Sequence, residues 1–160
     1  CSYELQGRKA PFGSKSVSVA KFLCADADKI TPVIYMFREG DVVVIENIYF
    51  DYGKYFIRRD AREGLDKLVD IMRQYPEMKV ELWSHTDSRS SKEFNQRLSE
   101  NRAKSTAEYL FKRGISRTRI VEYKGFGENQ LVNGCADGVK CSEADHQLNR
   151  RTEIKVLQLH

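Results

Sequence analysis

Two oppositely charged residues, fifteen positions apart, are the strongest chemical signal in this sequence. Asp87 ends the segment 83–87 (WSHTD), just past a predicted buried strand, and Arg102 lies early in the helical run that follows. A carboxylate accepts charge-assisted hydrogen bonds from an ammonium group, and a guanidinium donates two parallel hydrogen bonds to a carboxylate. Because a rigid frame would hold the two residues apart, they suit a zwitterionic ligand and indicate binding rather than catalysis.

The positions of both residues fit a ligand site, but a structural role fits them equally well. In α/β sheets, ligands bind beyond the carboxyl ends of the strands, where Asp87 falls. The positive end of the following helix dipole would help to hold a carboxylate. In the structural alternative, Asp87 caps its turn and Arg102 pairs on the surface with Glu93 or Glu100. Residue types and spacing leave both interpretations open.

The sequence lacks the motifs that are typical of enzymes. It has no Gly-x-Ser-x-Gly, no phosphate-binding loop and no Gly-x-Gly-x-x-Gly. Ser84, His85 and Asp87 are close in sequence, but alternate strand residues point to opposite faces, so a catalytic triad is not expected. The three histidines do not have metal-ligand spacing. We therefore predict no catalytic residues, no cofactor and no metal site.

Composition and charge narrow the class of protein further. The 160 residues, of which 41% are hydrophobic and 31% charged, fit one domain with a hydrophobic core. The net charge of +4 and the pI of about 8.8 suit an anionic partner but are too weak to indicate nucleic acid. No run approaches the roughly 18 apolar residues of a transmembrane helix.

The four cysteines fall into two groups. Cys135 and Cys141 flank a loop rich in Gly, Asn and Asp, with no second ligand pair nearby, and this favours a disulfide over a metal site. A disulfide would place the protein in an oxidising compartment. Cys1 and Cys24 either pair with each other or stay free. Cys1 is compatible with a lipidated N-terminal cysteine and equally with a fragment boundary.

From residue 41 onward, the sequence predicts an α/β sandwich. The predicted elements are a strand at 41–50, a helix at 59–75, a strand at 79–85, a helix from within 91–99 to Arg113, a strand at 119–125 and a strand at 151–157. This β-α-β-α-β-β order indicates a mixed sheet with two main helices packed on one face. The right-handed crossover rule makes the first two βαβ units parallel.

Three other segments are harder to assign. The second helix has two competing start signals, a capping box of Ser90 with Glu93 and a cap at Ser99. Residues 125–149 are predicted as a long loop. Residues 1–40 are predicted as an N-terminal extension or the tail of a preceding module, with extended pieces at 16–22 and 34–37.

Five sequence blocks, in order, carry a family resemblance. They are residues 48–51 (IYFD), 83–87 (WSHTD), 95–103 (NQRLSENRA), 125–128 (GFGE) and 149–154 (NRRTEI). The chain resembles, over about residues 41–157, the OmpA C-terminal-like peptidoglycan-binding domain of outer-membrane porins, the peptidoglycan-associated lipoprotein and flagellar stator proteins. The resemblance implies a non-enzymatic periplasmic domain that holds the outer membrane to the cell wall.

The resemblance also implies the roles of individual residues. Asp87 would take the ammonium group, and Arg102 the carboxylate, of the diaminopimelate residue in the peptide stem of peptidoglycan. The other residues implied to line, brace or touch the pocket are Asp51, Gly53, Thr86, Asn95, Leu98, Asn149 and Arg150. The sequence departs from the family pattern at Ser84 and Ser90, where glycine is common, and at Gly53, where a polar residue is usual.

Two further expectations concern the chain as a whole. Residues 1–40 lie outside the resemblance and are expected to belong to a larger or lipidated protein of the outer membrane, where they would contact other envelope proteins. The alternative function is a protein-interaction or oligomerisation module that keeps the fold without ligand binding. The presence of both Asp87 and Arg102 argues against that alternative.

Overall fold

The structure is a computed structural model in which the chain divides into two compact units. The described residues are 3–8, 14–19, 40 and 42–158. The first unit is Cys1–Arg38 and the second Glu39–His160. Within the described part of the chain, no helix combines the length and the apolar character that crossing a membrane requires.

The first unit contains two paired strands. Strand β1 (Tyr3–Arg8) runs antiparallel to β2 (Ser14–Val19). The strand predicted at 16–22 thus overlaps β2 but begins two residues too late, and its end lies outside the described residues. The extended piece predicted at 34–37 also lies outside them.

The second unit alternates strands and helices. Its elements are β3 (Val42–Tyr49), α1 (Arg59–Gln74), β4 (Lys79–Ser84), α2 (Lys92–Lys112), a 3-10 turn (Arg117–Arg119), β5 (Ile120–Gly125), α3 (Glu143–Asn149) and β6 (Arg151–Gln158). The four strands form one sheet in the order β3-β6-β4-β5. Strand β6 is antiparallel to both of its neighbours, and β5 is parallel to β4. The predicted mixed sheet is confirmed, with β3 and β4 running in the same direction on either side of β6.

Helix α1 forms because its apolar residues recur at the helical period. The predicted apolar face is buried, and it consists of Ala61, Leu65, Leu68, Val69 and Met72. The helix ends at Gln74, since Pro76 cannot continue it. Helix α1 packs against β3 and α2 against β4 and β5, so their buried faces form the core together with the inward-facing Val80 and Leu82 of β4.

Helix α2 begins at a different cap from either one predicted. Ser91 is the N-cap, and its hydroxyl accepts a hydrogen bond from the Phe94 amide at 3.3 Å. The Ser90–Glu93 capping box and the cap at Ser99 are therefore both wrong. Arg102 consequently lies in the middle of a 21-residue helix rather than near its start, so the helix N-terminus does not act on a ligand at Arg102.

The predicted loop at 125–149 contains a third helix. Helix α3 (Glu143–Asn149) is capped by Ser142. The Ser142 hydroxyl accepts a hydrogen bond from the Asp145 amide, and the Asp145 carboxylate accepts one from the Ser142 amide. This reciprocal capping box is visible in the sequence as Ser-x-x-Asp. The prediction missed α3 because the seven-residue helix lacks a long apolar period.

Gly125 at the end of β5 permits the close approach of α2. A Cβ at this position would lie 2.6 Å from the Ser99 carbonyl carbon. We expect Gly125→Ala to destabilise the fold by about 1–3 kcal/mol, because backbone atoms of α2 would have to move. Urea denaturation measures this loss. Gly134→Ala is the control, since a Cβ there meets nothing within 4 Å; equal midpoints for the two variants would contradict the packing argument.

Candidate functional site

A narrow polar cleft lies beyond the carboxyl end of β4. Its lining residues are Tyr52, Gly53, Thr86, Asp87, Ser90, Asn95, Leu98, Arg102 and Arg150. The cleft has about 170 Å³ of open space and is too narrow for a water-sized sphere. The structure thus brings together seven of the nine residues that the sequence assigned to a ligand site.

Four segments supply the lining of the cleft. Tyr52 and Gly53 come from the turn after β3, where Gly53 has a φ of 66° that favours glycine. Thr86 and Asp87 follow β4, and Arg150 precedes β6. The helical spacing of Asn95, Leu98 and Arg102 places their side chains on one face of α2, and all three are buried.

Arg102 is fully buried and bound to main-chain carbonyl groups. Its Nε donates to the Lys54 carbonyl at 3.0 Å, its Nη1 to the His85 carbonyl at 2.9 Å and its Nη2 to the Asp51 carbonyl at 3.1 Å. Burial and the nearby Arg150 cation lower the pKa of Arg102 to about 9. Among the described residues, no carboxylate lies within 4 Å of Arg102, so surface pairing with Glu93 or Glu100 is excluded.

Asp87 is also buried, but it has two cationic partners. Its Oδ2 accepts hydrogen bonds from Arg150 Nη1 at 2.8 Å and Arg89 Nη2 at 2.7 Å. Its Oδ1 accepts the Arg89 amide at 3.3 Å. Burial alone would raise the pKa of Asp87, but the hydrogen bonds from Arg89 and Arg150 outweigh it and keep the pKa below its usual value. The carboxylate is therefore ionised at neutral pH.

The Arg89 side chain covers the solvent side of Asp87. Its guanidinium lies 4.5 Å from the centre of the Tyr52 ring and pairs with Glu143 at 2.8 Å. Glu143 also accepts a bond from Arg150 Nη2 at 2.6 Å. Two arginines thus bridge Asp87 to the first residue of α3. Residue types and spacing did not indicate Tyr52, Arg89 or Glu143 as parts of the site; the only signal for Arg89 was its position two residues after Asp87.

Thr86 and Asn95 differ in how their polar atoms are used. Asn95 Nδ2 bonds the Glu128 carboxylate and, at 3.3 Å, the Ser90 carbonyl. The Thr86 hydroxyl is buried and has no hydrogen-bond partner among the described residues. A buried hydroxyl without a partner is costly, and it leaves a polar atom in the cleft wall for a ligand.

Two of the nine assigned residues do not line the cleft. The Asp51 carboxylate is half exposed and pairs with Arg58 at 3.1 Å and Lys54 at 3.5 Å, so Asp51 contributes only its main-chain carbonyl to the site. Asn149 is buried. Its Oδ1 accepts from the Val132 amide at 2.8 Å, so it braces the loop between β5 and α3.

The predicted disulfide between Cys135 and Cys141 is confirmed. It closes a loop that packs against the segment after β4. The Ser88 hydroxyl donates a buried hydrogen bond to the Cys135 carbonyl at 2.6 Å. Since Ser88 follows Asp87 directly, the disulfide loop supports the backbone that presents the Asp87 carboxylate.

His85 is a fully buried residue next to the cleft. Its ring stacks on Phe126 with the ring centres 5.5 Å apart, and neither ring nitrogen has a hydrogen-bond partner among the described residues. Burial and, secondarily, the Arg151 cation lower the pKa of His85 to about 3. The imidazole is therefore neutral at physiological pH, and it does not serve as a cation in the site.

The low pKa of His85 makes the fold acid-sensitive. Between pH 3 and 6.5 the unfolded chain binds the proton more readily, so stability falls as the pH is lowered through this window. We expect His85→Phe to reduce the change in unfolding free energy between pH 3 and 6.5 by roughly 4–5 kcal/mol. This value corresponds to the shift of the His85 pKa from 6.5 to about 3. Urea titrations at a series of pH values measure the slope. A slope equal to that of the wild type would contradict this.

The disulfide should stabilise the fold as well as support the backbone at Asp87. We expect the double variant Cys135→Ser/Cys141→Ser to lose roughly 2 kcal/mol of unfolding free energy, the loop-closure value for so short a loop. Urea denaturation with and without reductant measures it. Reductant should lower the unfolding free energy of the wild type to that of the double variant. Any effect of reductant on the double variant itself reports a contribution of Cys1 and Cys24 to stability. A wild type insensitive to reductant would rule out the bond.

Two known proteins of the bacterial envelope are similar to this chain in sequence. The chain is 36% identical over 118 residues to outer membrane porin F of Pseudomonas fluorescens (73% of this chain, 34% of the relative). It is 33% identical over 88 residues to the peptidoglycan-associated lipoprotein of Brucella melitensis (54% of this chain, 52% of the relative). The chain therefore spans between a third and about half of these relatives.

A solved structure shares the fold. The peptidoglycan-associated lipoprotein from Burkholderia pseudomallei superposes with a TM-score of 0.60 at 22% identity, covering 68% of this chain and 87% of that one. The model of the OmpA family matches residues 49–144, more than half of the chain. These residues include β4, α2 and all but one of the residues that line the cleft. The chain belongs to the OmpA family.

Proposed function

We propose that this chain binds peptidoglycan non-covalently, through the diaminopimelate residue of the stem peptide, and so anchors an outer-membrane or periplasmic protein to the cell wall. Membership of the OmpA family supports this function, as does similarity to two lipoproteins named for their association with peptidoglycan. The mildly basic chain suits an anionic polymer.

The observation that carries the proposal is the buried Arg102 cation, which forms no direct ion pair with a carboxylate among the described residues. Burying a charge is costly unless it is paired, and three bonds to neutral carbonyls satisfy only three of the five guanidinium N–H groups. One N–H remains on each terminal nitrogen. These two donors match the fork that binds a carboxylate bidentately, so the ligand carboxylate would supply the missing negative charge.

The ammonium group of the ligand would bind at Asp87. The Arg89 side chain now lies at that position, and the cleft must open before a ligand can enter. Arg89 can move at low cost because its other contacts, Tyr52 and Glu143, are on exposed side chains. The ligand ammonium would then replace Arg89 on Asp87, while Arg150 keeps the carboxylate oriented.

Co-sedimentation with purified peptidoglycan tests the acidic half of the site. We expect Asp87→Asn to weaken binding at least 30-fold, because loss of one partner of a desolvated charge pair costs about 2–5 kcal/mol. The matched control is Asp70→Asn, which removes an exposed carboxylate from α1. To test the basic half of the site, Arg102→Lys is a better variant than Arg102→Ala, since alanine would leave three carbonyls unpaired and destabilise the fold. Wild-type sedimentation by Asp87→Asn, with the fold intact, would overturn the proposal.

Specificity for diaminopimelate is tested separately with synthetic stem peptides. A stem with lysine in place of diaminopimelate keeps the ammonium group but lacks the carboxylate beside it. We expect the wild type to prefer the diaminopimelate stem at least tenfold, and Arg102→Lys to lose most of that preference. Calorimetric titration measures both affinities. Equal affinities in the wild type would refute the role of Arg102 but not binding at Asp87.

A further inference from the structure

A second concave surface lies beside the cleft. This groove, of about 510 Å³, runs between the segment before α1 and helix α2, and its lining includes Tyr55, Phe56, Ser105, Glu108, Tyr109 and Lys112. Its size is typical of sites that hold small ligands. We propose that the groove binds the sugar chain of the polymer whose stem peptide occupies the cleft, an inference that rests on the proposed function.

Exposed aromatic rings form the apolar part of the groove. Phe56 is 67% exposed and Tyr55 39% exposed, and their ring centres lie 4.6 Å apart. Exposed aromatic side chains gathered in a concave surface indicate a binding site. A pyranose ring fits such a surface because its C–H face packs on an aromatic face while its hydroxyl groups remain free to form hydrogen bonds.

The remaining wall of the groove supplies polar groups. The Tyr109 hydroxyl donates to Asp66 at 2.9 Å and accepts from Arg113 at 2.7 Å, so its ring is held in place. Ser105, Glu108 and Lys112 offer both donors and acceptors along α2. This mixture of rings and polar groups suits a sugar better than an entirely apolar partner surface.

Successive parts of α2 line the cleft and the groove. Ser105 and Tyr109 follow Arg102 by three and seven positions, so all three lie on one side of the helix. At 1.5 Å per residue, Tyr109 lies roughly 10 Å along the axis from Arg102. The bond from Arg102 Nε to the Lys54 carbonyl fixes the segment that carries Tyr55 and Phe56.

The spacing between the two sites fits the polymer. Two residues separate diaminopimelate from the sugar in a stem peptide, and two extended residues span about 7 Å, to which the lactyl and side-chain linkages add. One wall fragment can therefore reach both sites at once. Because the second contact is then intramolecular, even a weak sugar interaction would raise the overall affinity.

The test compares two ligands, a stem peptide joined to its disaccharide and the same stem peptide without sugar. We expect the wild type to bind the disaccharide-linked form at least fivefold more tightly. Phe56→Ala and Tyr55→Ala should each remove most of this difference while leaving affinity for the sugar-free peptide unchanged. The control is Tyr123→Ala on β5, which truncates a ring of similar exposure, 44%, outside the groove.

Each outcome of this titration decides the proposal. A wild type with no preference for the sugar-bearing ligand overturns it, as does a preference that survives in both Phe56→Ala and Tyr55→Ala. Failure of the sugar-free peptide to bind the wild type counts against the proposed function at Asp87 and Arg102. The sugar site is then still decided by whether Phe56→Ala weakens binding of the disaccharide-linked ligand.

Discussion

The buried Arg102 guanidinium holds together the end of the domain that contains the cleft. Its three hydrogen bonds reach carbonyls of Lys54, His85 and Asp51, so one side chain from the middle of α2 ties down both the turn after β3 and the end of β4. The same guanidinium lies 4.9 Å from the ring centre of the buried Phe50. The positions of the cleft walls therefore depend on a charge that the fold itself only partly compensates.

A second arginine repeats this arrangement from the other side of the cleft. Arg150 Nε donates to the Phe50 carbonyl at 3.1 Å, while its terminal nitrogens reach Asp87 and Glu143. Because Arg102 and Arg150 repel each other, the Asp87 carboxylate is needed to hold both cations in one buried region. Helix α3 and the disulfide loop complete the support, since the Cys135 carbonyl binds Ser88 and Glu143 binds Arg89, the two residues that follow Asp87.

The sequence predicted those helices, strands and cleft residues that a local pattern or the family resemblance determines. The apolar period of α1 and the β-branched run of β3 specify their elements directly, and the resemblance identified most of the residues that line the cleft. The sequence did not indicate that the Asp51 side chain turns towards Arg58, nor that Arg89 covers Asp87, because both contacts lie in irregular segments where no helical or strand period sets the direction of a side chain. The short helix α3 was missed for a related reason, since its stability comes from a cap and from Arg89 and Arg150 rather than from an apolar face.

The two charges of a zwitterionic ligand would not contribute equally in such a cleft. At Asp87 the ligand ammonium must displace the Arg89 guanidinium, so loss of the existing ion pair offsets part of the stabilisation from the new one. At Arg102 the ligand carboxylate displaces no carboxylate of the protein among the described residues, and it neutralises a cation that is already desolvated. Folding already desolvates and orients the Arg102 guanidinium, so its contact with a ligand carboxylate is pre-organised. Both charges of the ligand therefore contribute to affinity, but only the carboxylate binds without displacing a protein group, while Asp87 and Arg89 determine which ligands gain access to the cleft.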